Sequence, residues 1–187
     1  MFSVQQIYLR TSKQGTVTVH SPDTDIFVVS LYHLHNTWQG LKLYLLKSGS
    51  LKVTKKTQKE LYPLNLLLEC VEGYIIDQLP AGHSLTGCDT VGKVGTKLSL
   101  LNTMETDEDL LQYFGKDRLD SDTIADAEQF LVKVLSKKYG QSCISFNDLR
   151  VKLYFHAHTK RLIDLPCSSD AIQQNIKRAY LQTRICR

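Results

Sequence analysis

The sequence predicts a mixed α/β fold, with strands early in the chain and helices dominating later. Three observations carry that reading. β-Branched and alternating apolar runs bounded by turn residues occupy the first third. Apolar residues at helical spacing, opened by Ser and Asp caps, fill much of the remainder. The 187 residues are 42% hydrophobic and 22% charged, close to globular averages, which excludes collagen-like, coiled-coil and wholly disordered classes.

Taken in order, Gly15 to His20 (GTVTVH) predicts a short strand after the turn signal Lys13-Gln14-Gly15. Ser21-Pro22-Asp23-Thr24-Asp25 predicts a polar turn, with Pro22 fixing the backbone and small acids bonding locally. Ile26 to Tyr32 is apolar nearly throughout, so it must be buried on more than one side. Periodicity leaves strand and buried helix equally open there. Gly40 to Leu46 predicts a strand ended by Lys47-Ser48-Gly49-Ser50, with Leu51 to Thr57 returning as a hairpin. Leu61 to Leu79 predicts one helix with Pro63 in its first turn. Pro80 to Thr90 is a dense cluster of small and polar residues. Lys93 to Met104 and Asp107 to Tyr113 predict two further helices. Asp120-Ser121-Asp122-Thr123 caps a longer one reaching about Lys138, with Ile124, Ala127, Phe130, Leu131, Val134 and Leu135 on one stripe. Val151 to His158 alternates like a strand, and Ser168-Ser169-Asp170 caps a last helix from Ala171 to about Thr183.

No run approaches the roughly 18 apolar residues of a membrane helix, so no membrane partner is expected. The start, MFSVQQIYLR, lacks the pattern of a signal peptide. Five cysteines at 70, 88, 143, 167 and 186 form no CxxC pair, which fits reduced thiols in the cytoplasm or nucleus. The net charge of +4 is unevenly distributed. Leu41 to Glu60 carries six lysines against one acid, Thr103 to Gln129 nine acids against Lys116 and Arg118, and Val151 to Arg187 seven bases against two acids. Solvated faces explain such runs by default; a phosphate backbone is the functional alternative.

Two places carry chemistry. Asp23-x-Asp25 follows the first strand, where an α/β sheet opens its ligand crevice. Gly87-Cys88-Asp89 closes an apolar run. Hard cations such as Mg²⁺ take oxygen ligands, and two-metal nucleases gather several acids around an ion pair. Alone, D-x-D is common in turns as a cap.

Together, HSPDTDIFVVSLYH and LPAGHSLTGCDTVGKVGTK resemble a PIN-like domain of the flap-endonuclease superfamily. More closely, they resemble a group of transposon-associated proteins with SPDTD, LPxxHxLTGCDT and KxGTK signatures, and the tail LPCSSDAIQQNIKRAY is similar to their closing segment. The resemblance implies a three-layer fold around a central, mostly parallel sheet over residues 1–113, with a mainly helical extension containing one strand over 114–187. It implies Asp23, Asp25 and Asp89 as ligands of Mg or Mn, and Lys93, Gly95, Thr96 and Lys97 at a turn that holds a DNA or RNA backbone. No small-molecule cofactor is implied. An acidic cluster of the family falls on Met1 to Gln5, where this chain has no acid, and the first acid is Asp23. The resemblance therefore implies an amino-terminally truncated, catalytically impaired nuclease relative that retains weak nucleic-acid binding. The alternatives are an active Mg- or Mn-dependent phosphodiesterase, and an interaction module or non-functional mobile-element fragment.

Other groups weigh less. His33-x-His35 and His156-x-His158 would each offer two imidazoles on one strand face, without cysteines at finger spacing. His83 is read as a buried hydrogen-bonding group, Cys88 as a packing residue, and Cys143 has no histidine partner suggested by spacing.

Overall fold

A computed structural model describes residues 15–50, 57–88, 94–107, 110–116, 118–139, 143–156 and 165–187. The chain forms two compact units, divided between Asp77 and Gln78. The 113/114 boundary drawn from the resemblance falls inside the second unit.

In the first unit, β1 (Gly15–His20) leads through α1 (Thr24–Asn36) to β2 (Leu41–Ser50). β1 and β2 pair in parallel, Gly15 opposite Leu41 through His20 opposite Leu46. A parallel pair needs a crossover of a dozen or more residues, and α1 supplies it. That settles Ile26 to Tyr32 as helix, with Val28, Leu31 and Leu34 turned inward. β3 (Thr57–Pro63) then pairs antiparallel with β2, giving among the described residues a three-stranded mixed sheet in the order β1-β2-β3. The sheet thus has one parallel and one antiparallel pairing rather than a mostly parallel plan. The expected hairpin partner Leu51 to Thr57 is replaced by Thr57–Pro63; residues 51–56 lie outside the described residues.

β2 is the buried centre. Leu41, Leu43 and Leu45 alternate into the core and are almost wholly covered, while Lys42 faces solvent. β3 ends where Pro63, lacking an N–H, cannot extend the ladder. The single helix expected over Leu61 to Leu79 is therefore a strand end followed by two helices, α2 (Leu64–Glu69) and α3 (Gly73–Thr86), interrupted at Cys70. Pro63 is the residue before α2, in extended conformation, not part of a first turn. In the register β3 would have continued, residue 65 falls opposite residue 42. There the Asn65 carboxamide completes the edge: its Nδ2 donates to Leu41 O, and its Oδ1 accepts from Leu43 N, both at 2.8 Å. α1 and α2 pack on each other and on β2.

At its far end α1 is closed by Trp38. The Thr37 and Trp38 amides both donate to His33 O at 2.8 Å, and the indole stacks on the His33 ring with centroids 5.0 Å apart. Burial pushes the His33 imidazole below its ordinary 6.5.

The second unit is helical: α4 (Lys97–Thr106), α5 (Ser121–Tyr139), α6 (Phe146–His156) and α7 (Ser169–Cys186). α5 is central and touches the other three. Its start is fixed by Asp120, whose Oδ1 accepts from Thr123 N at 2.8 Å. Ala127, Phe130, Leu131, Val134 and Leu135 are buried as the stripe requires, and Val132 with them. α7 begins at the Ser168 cap and seats Tyr180 edge-on against Phe114, with centroids 5.5 Å apart.

Two expectations in this unit are corrected. Asp107 closes α4, and Leu110 to Lys116 form turns, so no helix runs from Asp107 to Tyr113 among the described residues. Val151 to His156 is helical, not a strand, so the carboxyl-terminal region has no strand among its described residues. The helical period starts earlier, at Phe146, and continues through Leu149 and Leu153, all buried. The alternation from Val151 onward was accidental, and Phe155 is left 73% exposed.

Asn65→Ala should destabilise the chain by roughly 1–3 kcal/mol in urea unfolding, because it strands two backbone groups of the central strand. Asn65→Asp should cost at least as much, because it sets a carboxylate oxygen against the Leu41 carbonyl. The His33 shift predicts a pH dependence. The unfolded chain takes a proton at this ring that the folded chain resists, so the stabilisation is complete above 6.5 and is lost as pH falls below it. His33→Gln should flatten that part of the stability profile relative to the parent.

Candidate functional site: the carboxyl end of β1

His20 ends β1, and the Ser21 amide extends the pairing by one bond, to Leu46 O at 3.1 Å. The chain then turns. Ser21 Oγ accepts from Asp23 N at 3.1 Å, and Asp23 Oδ1 accepts from Asp25 N at 3.0 Å. Asp23 is the N-cap of α1, with φ −83° and ψ 133°, and Asp25 lies in the first helical turn. Asp23 is exposed and Asp25 half-buried. Both acids thus stand at the carboxyl end of a parallel strand and at the positive end of a 13-residue helix.

That position has an electrostatic consequence. A helix start ordinarily attracts anions through its unpaired N–H groups. Here one of those donors is taken by Asp23 and two carboxylates already sit on the dipole. A bare phosphate is disfavoured, and a cation is favoured. The oxygen donors suit Mg²⁺ or Mn²⁺. Asp23 Oδ1 is engaged by the helix, and among the described residues no group of three or more His, Cys, Asp or Glu gathers where it could hold a metal ion.

Asp89, expected as the third ligand, lies outside the described residues, as does Lys93. Asp23 and Asp25 belong to the first unit. What is described on either side of Asp89 is the carboxyl end of α3, where Thr86 Oγ1 donates to Gly82 O at 2.8 Å, and Val94, whose amide donates to Thr86 O at 2.9 Å.

Gly95, Thr96 and Lys97 have well-defined folding roles. Gly95 has φ +73°, and a Cβ there would stand 2.4 Å from Val134 Cγ1, so only glycine fits against α5. Thr96 caps α4 in a reciprocal box: Ser99 N donates to Thr96 Oγ1 and Thr96 N to Ser99 Oγ, both at 3.1 Å. Lys97 Nζ lies 3.4 Å from Nδ1 of buried His83. An ammonium only donates, so His83 accepts there through Nδ1.

The His33-x-His35 pair does not form a metal face. His33 and His35 are two apart on a helix, where such residues point to different sides. His33 packs on Trp38, whereas His35 lies against Gly73. His156 ends α6 and His158 lies outside the described residues. The five cysteines are free thiols. Trp38 at the far end of α1 and Asn65 beside the Leu41 end of β2 lie away from this site and carry no motif signal; their roles are in the fold.

The cap separates two roles of Asp23. Asp23→Ala should lower stability by about 1 kcal/mol in urea unfolding, the usual loss for an N-cap. Asp23→Asn, which keeps a capping oxygen while removing the charge, should unfold close to the parent.

No helix among the described residues is long and apolar enough to cross a membrane. No family model, curated protein or solved structure matches the chain significantly.

Proposed function

We propose that the chain is a nuclease-like polypeptide of the PIN-like type with impaired catalysis, which associates weakly with DNA or RNA. The observation that supports this best is the Asp23-x-Asp25 pair at the carboxyl end of β1, within a β-α-β crossover. An α/β sheet binds its ligands at that edge. The resemblance of the SPDTD and LTGCDT segments to flap-endonuclease relatives adds to it.

Asp23 and Asp25 would hold one Mg²⁺ or Mn²⁺, which when bound polarises a phosphoryl oxygen and offsets its charge. The chain's own contribution is positional. β1 and α1 fix the two acids, and the capping bond holds the Asp23 carboxylate against the helix start. Cleavage by two-metal enzymes requires further acids that stabilise both attacking and leaving oxygens. Asp23 and Asp25 by themselves do not supply those acids. In the first unit exposed Lys42 of β2, and separately in the second unit the Gly95-Thr96-Lys97 turn, would each supply phosphate contacts that carry little sequence preference.

Purified chain incubated with flap, hairpin and single-stranded substrates in Mn²⁺ should leave them intact. Cleavage by the parent that Asp25→Asn abolishes would make the chain an enzyme and overturn the impaired reading. The same substrates should bind at low salt and be released steeply as salt rises, with Lys42→Glu and Lys97→Glu each weakening the association. No binding at low salt would remove the nucleic-acid half of the proposal.

A further inference from the structure

α7 buries Ile172, Ile176, Ala179, Tyr180 and Thr183 in the second unit and turns a different row outward. At about 3.6 residues per turn, Leu181 and Ile185 form the ridge of that outer face. They are 63% and 79% exposed, unusual for large aliphatic side chains on a well-packed helix. Lys177 and Arg184 flank the ridge on one side and Arg178 on the other, all exposed. Arg178 Nη1 donates to Asn175 Oδ1 at 3.1 Å, and none of the three bases is ion-paired among the described residues. No acid follows Asp170 in the sequence. The face is an apolar ridge between two basic flanks.

The same unit carries a face of opposite character. On the first turns of α5, Asp122, Ala125, Asp126 and Gln129 are exposed together, with the Asp120 cap just outside. Partial burial and then the charges of Asp122 and Asp120 push the Asp126 carboxyl up from its ordinary range. The acids repel one another, and a cationic surface laid over them would relieve that repulsion. Ala125, with a single methyl group, leaves room for a protruding aliphatic residue.

We propose that the outer face of α7 docks on the amino-terminal half of α5 of a second copy of this chain. Leu181 and Ile185 lie over Ala125 and the Gln129 stem, while Lys177, Arg178 and Arg184 meet Asp122 and Asp126. A phosphate backbone would satisfy the bases but leave the aliphatic ridge at their centre uncovered; a protein surface covers both. The contact joins two different faces, so each copy offers both a basic apolar ridge and an acidic surface to receive one. Its small size places it among weak, concentration-dependent associations, with strong salt sensitivity from the charged flanks.

Sedimentation velocity on nuclease-treated protein tests this through a charge swap. The parent should gain mass with concentration at low salt and revert to monomer at high salt. Lys177→Glu/Arg178→Glu/Arg184→Glu and Asp122→Lys/Asp126→Lys should each weaken self-association on the order of tenfold or more. Mixed together, the two variants should associate again, because each supplies the charge the other lacks; that rescue also requires both to be folded. Leu181→Asp, on an exposed site, should weaken association without a charge reversal of the flanks. A parent that stays monomeric at every concentration at low salt would overturn the proposal. So would association lost on nuclease treatment, which would mean nucleic acid bridges the copies, or variants that associate as well alone as when mixed.

Discussion

The first unit depends on one strand being satisfied along both edges. β2 takes β1 in parallel on one side and β3 antiparallel on the other, and its leucines at 41, 43 and 45 anchor the core beneath. A buried strand with open backbone groups is strongly disfavoured. The chain meets that constraint with a residue from a helix: where Pro63 stops β3, the Asn65 carboxamide supplies the next donor and acceptor. The parallel pairing on the other edge then requires a crossover, and α1 is that crossover. Its start therefore lies at the carboxyl end of β1.

Because α1 must begin there, Ser21 to Asp25 carries two demands at once. The helix needs its first donors satisfied, and Asp23 does so through Asp25 N. The same acids make the helix start attractive to a cation and unattractive to a bare anion. On the reading proposed above, folding and ligand chemistry would draw on the same carboxylate, that of Asp23. In the second unit, Gly95 and Thr96 make a parallel case: the features that suit a phosphate-binding turn also fit an ordinary helix start packed against Val134.

Much of the fold was legible wherever local chemistry and pattern agreed. β1, the Asp120 cap with the α5 stripe, and the Ser168 cap of α7 are all explicit in the residues, since a cap and an apolar period point the same way. α6 was misread because its period begins at Phe146, ahead of the segment whose alternation suggested a strand. The span from Leu61 to Leu79 was misread because leucines continue through a strand, a short helix and a long one, and composition does not mark the breaks. Of the candidate site, Asp23 and Asp25 were found through spacing after a strand. The folding roles of Asn65 and Trp38, away from that site, were not legible, because they depend on which groups the tertiary fold leaves open.

The central claim is that β1 and α1 hold a D-x-D pair suited to one divalent cation. Amide chemical shifts of the isotopically labelled chain, followed through a Mg²⁺ titration, test it most directly. The account predicts a single saturating event centred on Asp23, Thr24 and Asp25, weak enough to remain in fast exchange. Unchanged shifts over those residues, or two separate saturating steps there, would contradict it.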